Sequence, residues 1–251
     1  MNAIFNITLP TSWFDLTDKQ LHMVYHLFAR DLSSAEIKTL CLMKWNGLKV
    51  LSQLPDKRFL IKRGKEVIPL STRQIQQATS VLDFLDSFAS MPVRISRIGK
   101  YQALPADFEK VPFEEFLFVE NLFQGYLNTQ SDELLLQMAQ VMYASDHVKP
   151  DKAQLIGIFY WMASLKQYFA SQFSNFYRPA SNSDDGNLLG SGKPDIYSQL
   201  RDSTNAMIRA LTGGDITKEA AIMKMDTWRA LTELDAKARE AEELRKAAKK
   251  P

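Results

Sequence analysis

The feature that most constrains the fold is the run at 151–173, DKAQLIGIFYWMASLKQYFASQF. Its large apolar residues recur at helical spacing and cover most of a helix circumference: Ile156, Phe159, Tyr160, Met162, Leu165, Phe169 and Phe173. A helix that is apolar nearly all round is buried, so this pattern predicts a central helix. Its most apolar part, 153–165, is shorter than the roughly 20 residues that cross a bilayer, which favours a core helix over a membrane span.

Amphipathic patterns elsewhere predict the helices that surround it. Thr17 is a plausible N-cap for the first, Ser33 or Ser34 for the second and Ser71 for the third. Gly213-Gly214 ends the last of these patterns. The patterns read DLTDKQLHMVYHLFARDL, SSAEIKTLCLMKW, TRQIQQATSVLDFLDSF (with Ile75, Ala78, Leu82 and Leu85 on one face), FEEFLFVENLFQGYL, SDELLLQMAQVMYAS and IYSQLRDSTNAMIRALT.

Only two segments favour β structure. The run RFLIKRGKEVIPLS has two short β-prone stretches around Gly64, which predicts a small hairpin. The run AIFNITLP alternates weakly and stops at Pro10, which predicts a short strand. The fold class is therefore mainly α: a multi-helix globular domain with a minor β-hairpin and a long C-terminal helix.

The composition changes once along the chain, at NFYRPASNSDDGNLLGSGKPD. This stretch is rich in Ser, Asn, Asp and Gly and predicts an exposed loop. We therefore expect a helical globular domain with a small β element at 1–178, a flexible loop at 179–195, and C-terminal helices with a charged terminal arm at 196–251.

The final helix is expected to run from about Ile216 to the end, capped by Asp215. Its first half has an apolar row that should dock on a surface. From Asp235 onward it is almost entirely Ala, Glu, Lys and Arg, with acid-before-base pairs at Glu233–Lys237, Asp235–Arg239 and Glu242–Lys246 that support a helix without tertiary packing. Two interpretations remain open, a solvent-exposed terminus and an arm that contacts a partner. The candidate assembly contacts are Trp228, Leu231, Leu234, Arg239, Leu244 and Arg245.

The sequence gives little support for catalysis, a cofactor or a metal. With three His and one Cys, no nucleophile–base constellation can be argued. His22 and His26 share a helix face, but the stretch HMVYH lacks the Glu of a zinc protease. LLGSGKPD lacks the spacing of a phosphate-binding loop, and LTGGDITKE is a weak candidate anion site at a helix start. We expect a protein that is not an enzyme and binds no cofactor or metal.

Charge and terminal residues bear on location and on nucleic acid. The net charge of +2 gives no whole-molecule case for nucleic acid. The hairpin is locally basic, and Lys62, Arg63 and Lys65 are candidate DNA-channel or partner contacts; a solvated edge protected from aggregation is the alternative.

The N-terminus does not resemble a signal peptide, and the single Cys41 fits a reducing cytoplasm. We expect a soluble protein that is made in the cytoplasm and has no membrane partner.

Six blocks spread over nearly the whole chain carry a resemblance. They are TLPTSWFDLTDKQLHMVYHLF, MKWNGLKVL, MPVRISRIGKYQALPADFEKVPFEEF, ENLFQGYL, IRALTGGDITKE and MDTWRALTELDAKAREAEEL. With these blocks the chain resembles a group of proteins encoded among the structural genes of tailed bacteriophages and prophages of gut Bacteroidales, crAss-like phages included.

The resemblance implies a virion protein, a ring or connector (head-tail adaptor) subunit of the portal-tail region. Such a protein would form a cyclic homo-oligomer of about 12 copies and contact the portal and other tail or ring proteins, with possible non-specific contact with DNA. Two alternatives stay open: a tail assembly chaperone that is not retained in the virion, and a phage nucleic-acid-binding protein.

Overall fold

The computed structural model describes residues 7–178 and 196–248, and only the backbone of 196–199. The chain is 60% helical, with nine α-helices and five short strands in the described part, and the mainly α class with a long C-terminal helix is confirmed. The helices are α1 (Asp18–Phe28), α2 (Ser34–Trp45), α3 (Thr72–Thr79), α4 (Phe113–Thr129), α5 (Asp132–Met142), α6 (Lys152–Gln172), α7 (Ile196–Thr212), α8 (Glu219–Met223) and α9 (Thr227–Ala248). The strands are β1 (Lys49–Gln53), β2 (Phe59–Arg63), β3 (Glu66–Leu70), β4 (Arg97–Ile98) and β5 (Tyr101–Gln102).

Four helices begin with reciprocal capping boxes. Thr17 caps α1, Ser33 caps α2 and Ser71 caps α3, as the sequence predicts, and Asp151 caps α6. In each box the cap side chain accepts a hydrogen bond from the backbone N–H three residues on, and the Gln or Glu at that position accepts one from the cap N–H. Two backbone N–H groups that have no acceptor within the helix thereby gain one. The residue at which each of these helices begins is therefore determined by its sequence neighbours.

Helix α6 is central, as its sequence predicts. One side contributes Ile158, Trp161, Leu165 and Phe169 to a large core shared with α4, α5, α8 and α9. The opposite side places Ala153 in a second core with α1, α2 and the 3₁₀ segment Ser80–Asp86. The helix therefore joins two clusters that the rest of the chain builds separately.

The contact between α1 and α6 depends on a glycine. A Cβ at Gly157 would lie 2.8 Å from Cδ2 of Tyr25, closer than real contacts allow. Tyr25 is buried, and its ring lies near that of Tyr160, with centroids 5.7 Å apart. The missing side chain lets the aromatic face of α1 rest directly on the α6 backbone.

The predicted hairpin is present as β2 and β3, with Gly64 in the turn at a φ of +57°. A third strand, β1, pairs antiparallel with β2 and makes a three-stranded sheet in the order β1-β2-β3. The inner face of the sheet buries Ile61 against Leu42 and Leu48, beside α2 and α3. This third cluster anchors the sheet to the N-terminal helices.

Two other sequence predictions need correction. Helix α3 ends at Thr79, and the predicted face continues as the 3₁₀ segment, where Leu82 and Leu85 are still buried. The strand expected to end at Pro10 falls partly outside the described residues, and residues 7–10 form no strand.

The expected single helix from Ile216 to the end is wrong. Ile216–Lys218 is a 3₁₀ turn, α8 is one short helix, and α9 starts anew at Thr227. The break has a physical cause, because the carbonyl of Met225 accepts a hydrogen bond from the N–H of Phe113 (2.8 Å) and Pro112 forms a β-bridge with Asp226. A backbone that pairs with a distant segment cannot also continue a helix.

The C-terminal helices pack on the same core as the preceding residues. Ile222, Ala230, Leu231 and Leu234 are buried in the cluster around α4, α5 and α6. The predicted loop at 179–195 lies outside the described residues. Among the helices of the described part, none combines the length and apolarity that a bilayer crossing needs.

We predict that Gly157→Ala destabilises the protein although alanine favours helices. The added methyl group collides with the buried Tyr25 ring, and overpacking costs about 1–3 kcal/mol. Gly125→Ala is the matched control, because its Cβ meets only the terminal Cδ1 of Leu134, at 3.1 Å. Urea unfolding should show a loss for the first variant and at most a small change for the second. Equal free energies of unfolding for both variants would contradict the close packing.

Candidate functional site

The start of α9 is hydrogen-bonded to the segment that precedes α4. The Thr227 hydroxyl donates a hydrogen bond to the Val111 carbonyl (2.7 Å), and the Thr227 N–H donates to the same oxygen (2.9 Å). The Asp226 carboxylate accepts a hydrogen bond from the N–H of Lys110 (2.6 Å). Because Thr227 and Val111 are buried, these bonds are protected from competition by water.

The apolar row of α9 packs on the chain's own core. The Trp228 ring lies 5.4 to 5.8 Å from those of Phe173, Phe169 and Tyr168, and its Nε1 donates a hydrogen bond to the Asp107 carbonyl (2.8 Å). Leu231 and Leu234 are buried. The sequence correctly predicts that this half docks: Leu231 and Leu234 are part of the chain's own core, and Trp228 is half-buried against it.

Asp235 belongs to the docked half rather than to the charged arm. Its carboxylate accepts hydrogen bonds from the N–H of Asn175 (2.8 Å), the side chain of Asn175 (2.9 Å) and the N–H of Phe176 (3.0 Å). Burial by itself raises the pKa of Asp235, but these hydrogen bonds and the Arg239 charge outweigh it and lower that pKa below its ordinary value. The carboxylate thus ties α9 to the segment after α6.

Beyond Asp235 the helix projects from the core. Arg239, Leu244 and Arg245 are exposed, and Leu244 retains 72% of its accessible surface. Of the three acid–base pairs predicted along the helix, only Glu242–Lys246 is an ion pair within 4 Å, at 3.5 Å. We call 236–248 the projecting arm.

The hairpin candidates lie at one end of the three-stranded sheet. Lys62 is exposed and directly opposite Lys49 of β1, while Arg63 is half-buried and opposite Glu66. Lys65 is exposed in the turn between β2 and β3. The structure brings Lys49 to this group, and the sequence analysis did not include it because β1 was not predicted. We call Lys49, Lys62 and Lys65 the basic sheet end.

The histidine pair that shares one face of α1 has other partners. His22 lies 2.7 Å from the Asp151 carboxylate, and His26 lies 2.7 Å from Arg30. Over residues 7–178 and 196–248, no group of three His, Cys, Asp or Glu is placed to hold a metal ion. Burial raises the pKa of the Cys41 thiol to about 12, so it stays protonated and is a poor nucleophile.

The candidate anion site at Gly213-Gly214 already has an acceptor. The Asp215 carboxylate accepts hydrogen bonds from the Thr217 N–H (3.0 Å) and hydroxyl (2.6 Å). The Asp215 carboxylate therefore lies where an anion would bind, and the 3₁₀ turn that follows it has only three residues. The phosphate-loop candidate around Gly190 and Lys193 lies outside the described residues.

A surface groove of about 630 Å³ runs between α4 and α5. Apolar residues such as Phe118 and Val141 form part of its lining, and Glu115, Glu133 and Asp146 lie along it. No histidine, cysteine or lysine lies among the residues that line it. The groove offers an acidic, partly apolar surface rather than a paired acid and base.

Comparisons of the chain with protein-family models, with characterised proteins and with solved structures gave no match.

We predict that Asp235→Asn lowers the free energy of unfolding by about 1–3 kcal/mol at pH 7, because one amide cannot accept all three hydrogen bonds. The folded-state pKa is depressed, so the carboxylate stabilises the fold above the unfolded pKa of ~3.9 and loses this effect as pH falls through the folded value. Urea unfolding from pH 7 to pH 3 should show the difference between wild type and variant shrinking. Glu240→Gln, at an exposed site on the same helix, is the control and should change little; a pH-independent loss in Asp235→Asn would contradict the assignment.

Proposed function

We propose that the chain is a non-catalytic structural subunit of a bacteriophage virion, a ring or connector protein of the portal-tail region. The observation that carries the proposal is the projecting arm, a regular helix that leaves its own core with Leu244 exposed between Arg239 and Arg245. Leu244 lies next to Arg245 on a helix that also carries Glu240 and Glu243, and an exposed helix with an apolar residue among charges can contact another chain. The resemblance of six sequence blocks to phage structural-gene products supports the same class.

A closed ring needs two different surfaces on each subunit, since its contacts are heterologous. The arm provides one. The groove between α4 and α5 provides the other in this proposal: Phe118, 50% exposed, is an apolar contact for Leu244, and the carboxylates beside it can pair with basic residues of the arm. In the proposed ring, the arm of one subunit contacts a neighbouring copy or the portal, and about 12 copies close the circle.

The first test is mass spectrometry of purified particles of the phage that encodes the chain. The proposal expects the protein in the particle at a copy number near that of the portal subunits. Absence from particles overturns it. Absence together with binding to a long helical tail protein during assembly would instead identify a tail assembly chaperone.

A second test concerns the arm, and we predict that Arg239→Gln/Leu244→Gln/Arg245→Gln reduces incorporation into particles at least tenfold. Glutamine preserves the helix, and none of the three side chains is buried, so the melting temperature should stay within about 2 °C of wild type. The control is Arg229→Gln/Glu233→Gln, which changes exposed charges on the docked half of the same helix. Quantitative mass spectrometry of particles from complemented infections gives the readout. Normal incorporation of the triple variant would contradict the arm as an assembly contact.

A further inference from the structure

The outward face of the three-stranded sheet carries a row of directly opposed residues across its strands. Lys49 of β1 lies opposite Lys62 of β2, and Lys62 lies opposite Val67 of β3. Directly opposite residues in antiparallel strands project from the same face, with Cβ atoms roughly 5 Å apart. All three are exposed, so two ammonium groups leave the sheet side by side into solvent.

Two like charges at directly opposite positions destabilise a sheet, and no ion pair to a residue that the structure describes compensates for Lys49 and Lys62. Within the described residues, Lys49, Lys62 and Lys65 make no ion pair or side-chain hydrogen bond. The other end of the sheet differs, because Arg58 is paired with Asp56 at 2.6 Å. The charge of Lys49, Lys62 and Lys65 thus lies at one end of the sheet, where Glu66 is the one acidic residue that the three strands contribute.

The sheet beneath these lysines is fixed in place. Ile61, which alternates with Lys62 along β2, is fully buried against Leu42 and Leu48. Gly64 supplies the positive φ that the turn before Lys65 requires. The backbone that carries the three lysines is therefore held in place by the core. A polyanion that binds them does not incur the entropy cost of ordering the strands.

We propose that the basic sheet end binds the phosphate backbone of a nucleic-acid duplex without reading its sequence. A duplex presents closely spaced negative charges that adjacent ammonium groups can neutralise, with release of counterions. The contact removes the repulsion between Lys49 and Lys62 and needs no base-edge recognition.

The other residues of this face argue for a duplex over two other polyanions. The outward positions of the strands hold Lys49, Ser52, Leu60, Lys62, Val67 and Pro69. Single-stranded nucleic acid is bound by stacking on aromatic side chains, and none stands at these positions. Insertion into an anionic membrane surface typically uses Trp, Phe or Leu on an amphipathic helix. On this face Leu60 is half-buried, and the exposed Val67 and Leu51 lie on strands rather than on a helix.

The inference rests on the sheet and not on the proposed virion role. It suits a protein placed around a DNA passage, but it is measured on the isolated full-length chain. A failure to bind duplex therefore contradicts this inference and not the proposed assembly role. A negative result in the assembly tests contradicts that role and not the phosphate contact.

The test is fluorescence anisotropy with a labelled random-sequence DNA duplex of about 30 base pairs over a series of salt concentrations. Wild type should bind in the micromolar range at about 50 mM salt, and Lys49→Gln/Lys62→Gln/Lys65→Gln should bind at least tenfold more weakly. The slope of log affinity against log salt should fall by about 2.7 for three lost phosphate contacts. The melting temperature of this variant should equal or exceed that of wild type, because a repulsion has been removed.

The matched control is Lys19→Gln/Lys149→Gln/Lys224→Gln, which removes the same charge from exposed positions elsewhere and should leave duplex affinity and slope close to wild type. Three results with nucleic acid overturn the proposal: no duplex binding by wild type at about 50 mM salt, an equal loss in the control, or tighter binding to a single strand with as many phosphates. Tighter binding to vesicles containing phosphatidylserine than to duplex also overturns it and assigns the face to a membrane surface.

Discussion

The fold depends on the need to bury α6 on opposite sides. Trp161, Leu165 and Phe169 require one set of partners, while Tyr160 and the bare backbone at Gly157 require another. No single neighbouring helix can cover both sides, so the chain wraps the helix with α1 on one side and with α4, α5 and α9 on the other. The two clusters and the position of the C-terminal helices follow from this requirement.

Much of this arrangement could be predicted because its causes are local. A capping box lies within four residues, as at Thr17, Ser33 and Ser71, and needs no tertiary information. The apolar circumference of α6 and the row at Trp228, Leu231 and Leu234 are periodic patterns, which identify a buried face without naming its partner. The hairpin was predicted for the same reason, since its turn glycine lies between its strands.

The remainder depends on contacts far apart in sequence. Strand β1 is exposed along its whole length, so it lacks the alternation that would mark it. The helix break before Thr227 arises because Met225 and Thr227 pair with residues around Val111, more than 100 positions away. Asp235 looked like one acid of a charged helix, and only the fold brings Asn175 to it. The opposition of Lys49 and Lys62 is likewise a consequence of strand pairing.

These distant contacts also separate the two candidate surfaces. The projecting arm is continuous with the core of α4, α5 and α6 through Leu234 and Asp235. The basic sheet end is supported by a different cluster, around Ile61 and α2. Residues in different clusters that share no partner contribute to stability nearly independently. The proposed assembly contact through the arm and the proposed phosphate contact through the sheet can therefore operate in one subunit without competing for the same residues. The proposed ring subunit, lying between protein neighbours and nucleic acid, requires this arrangement.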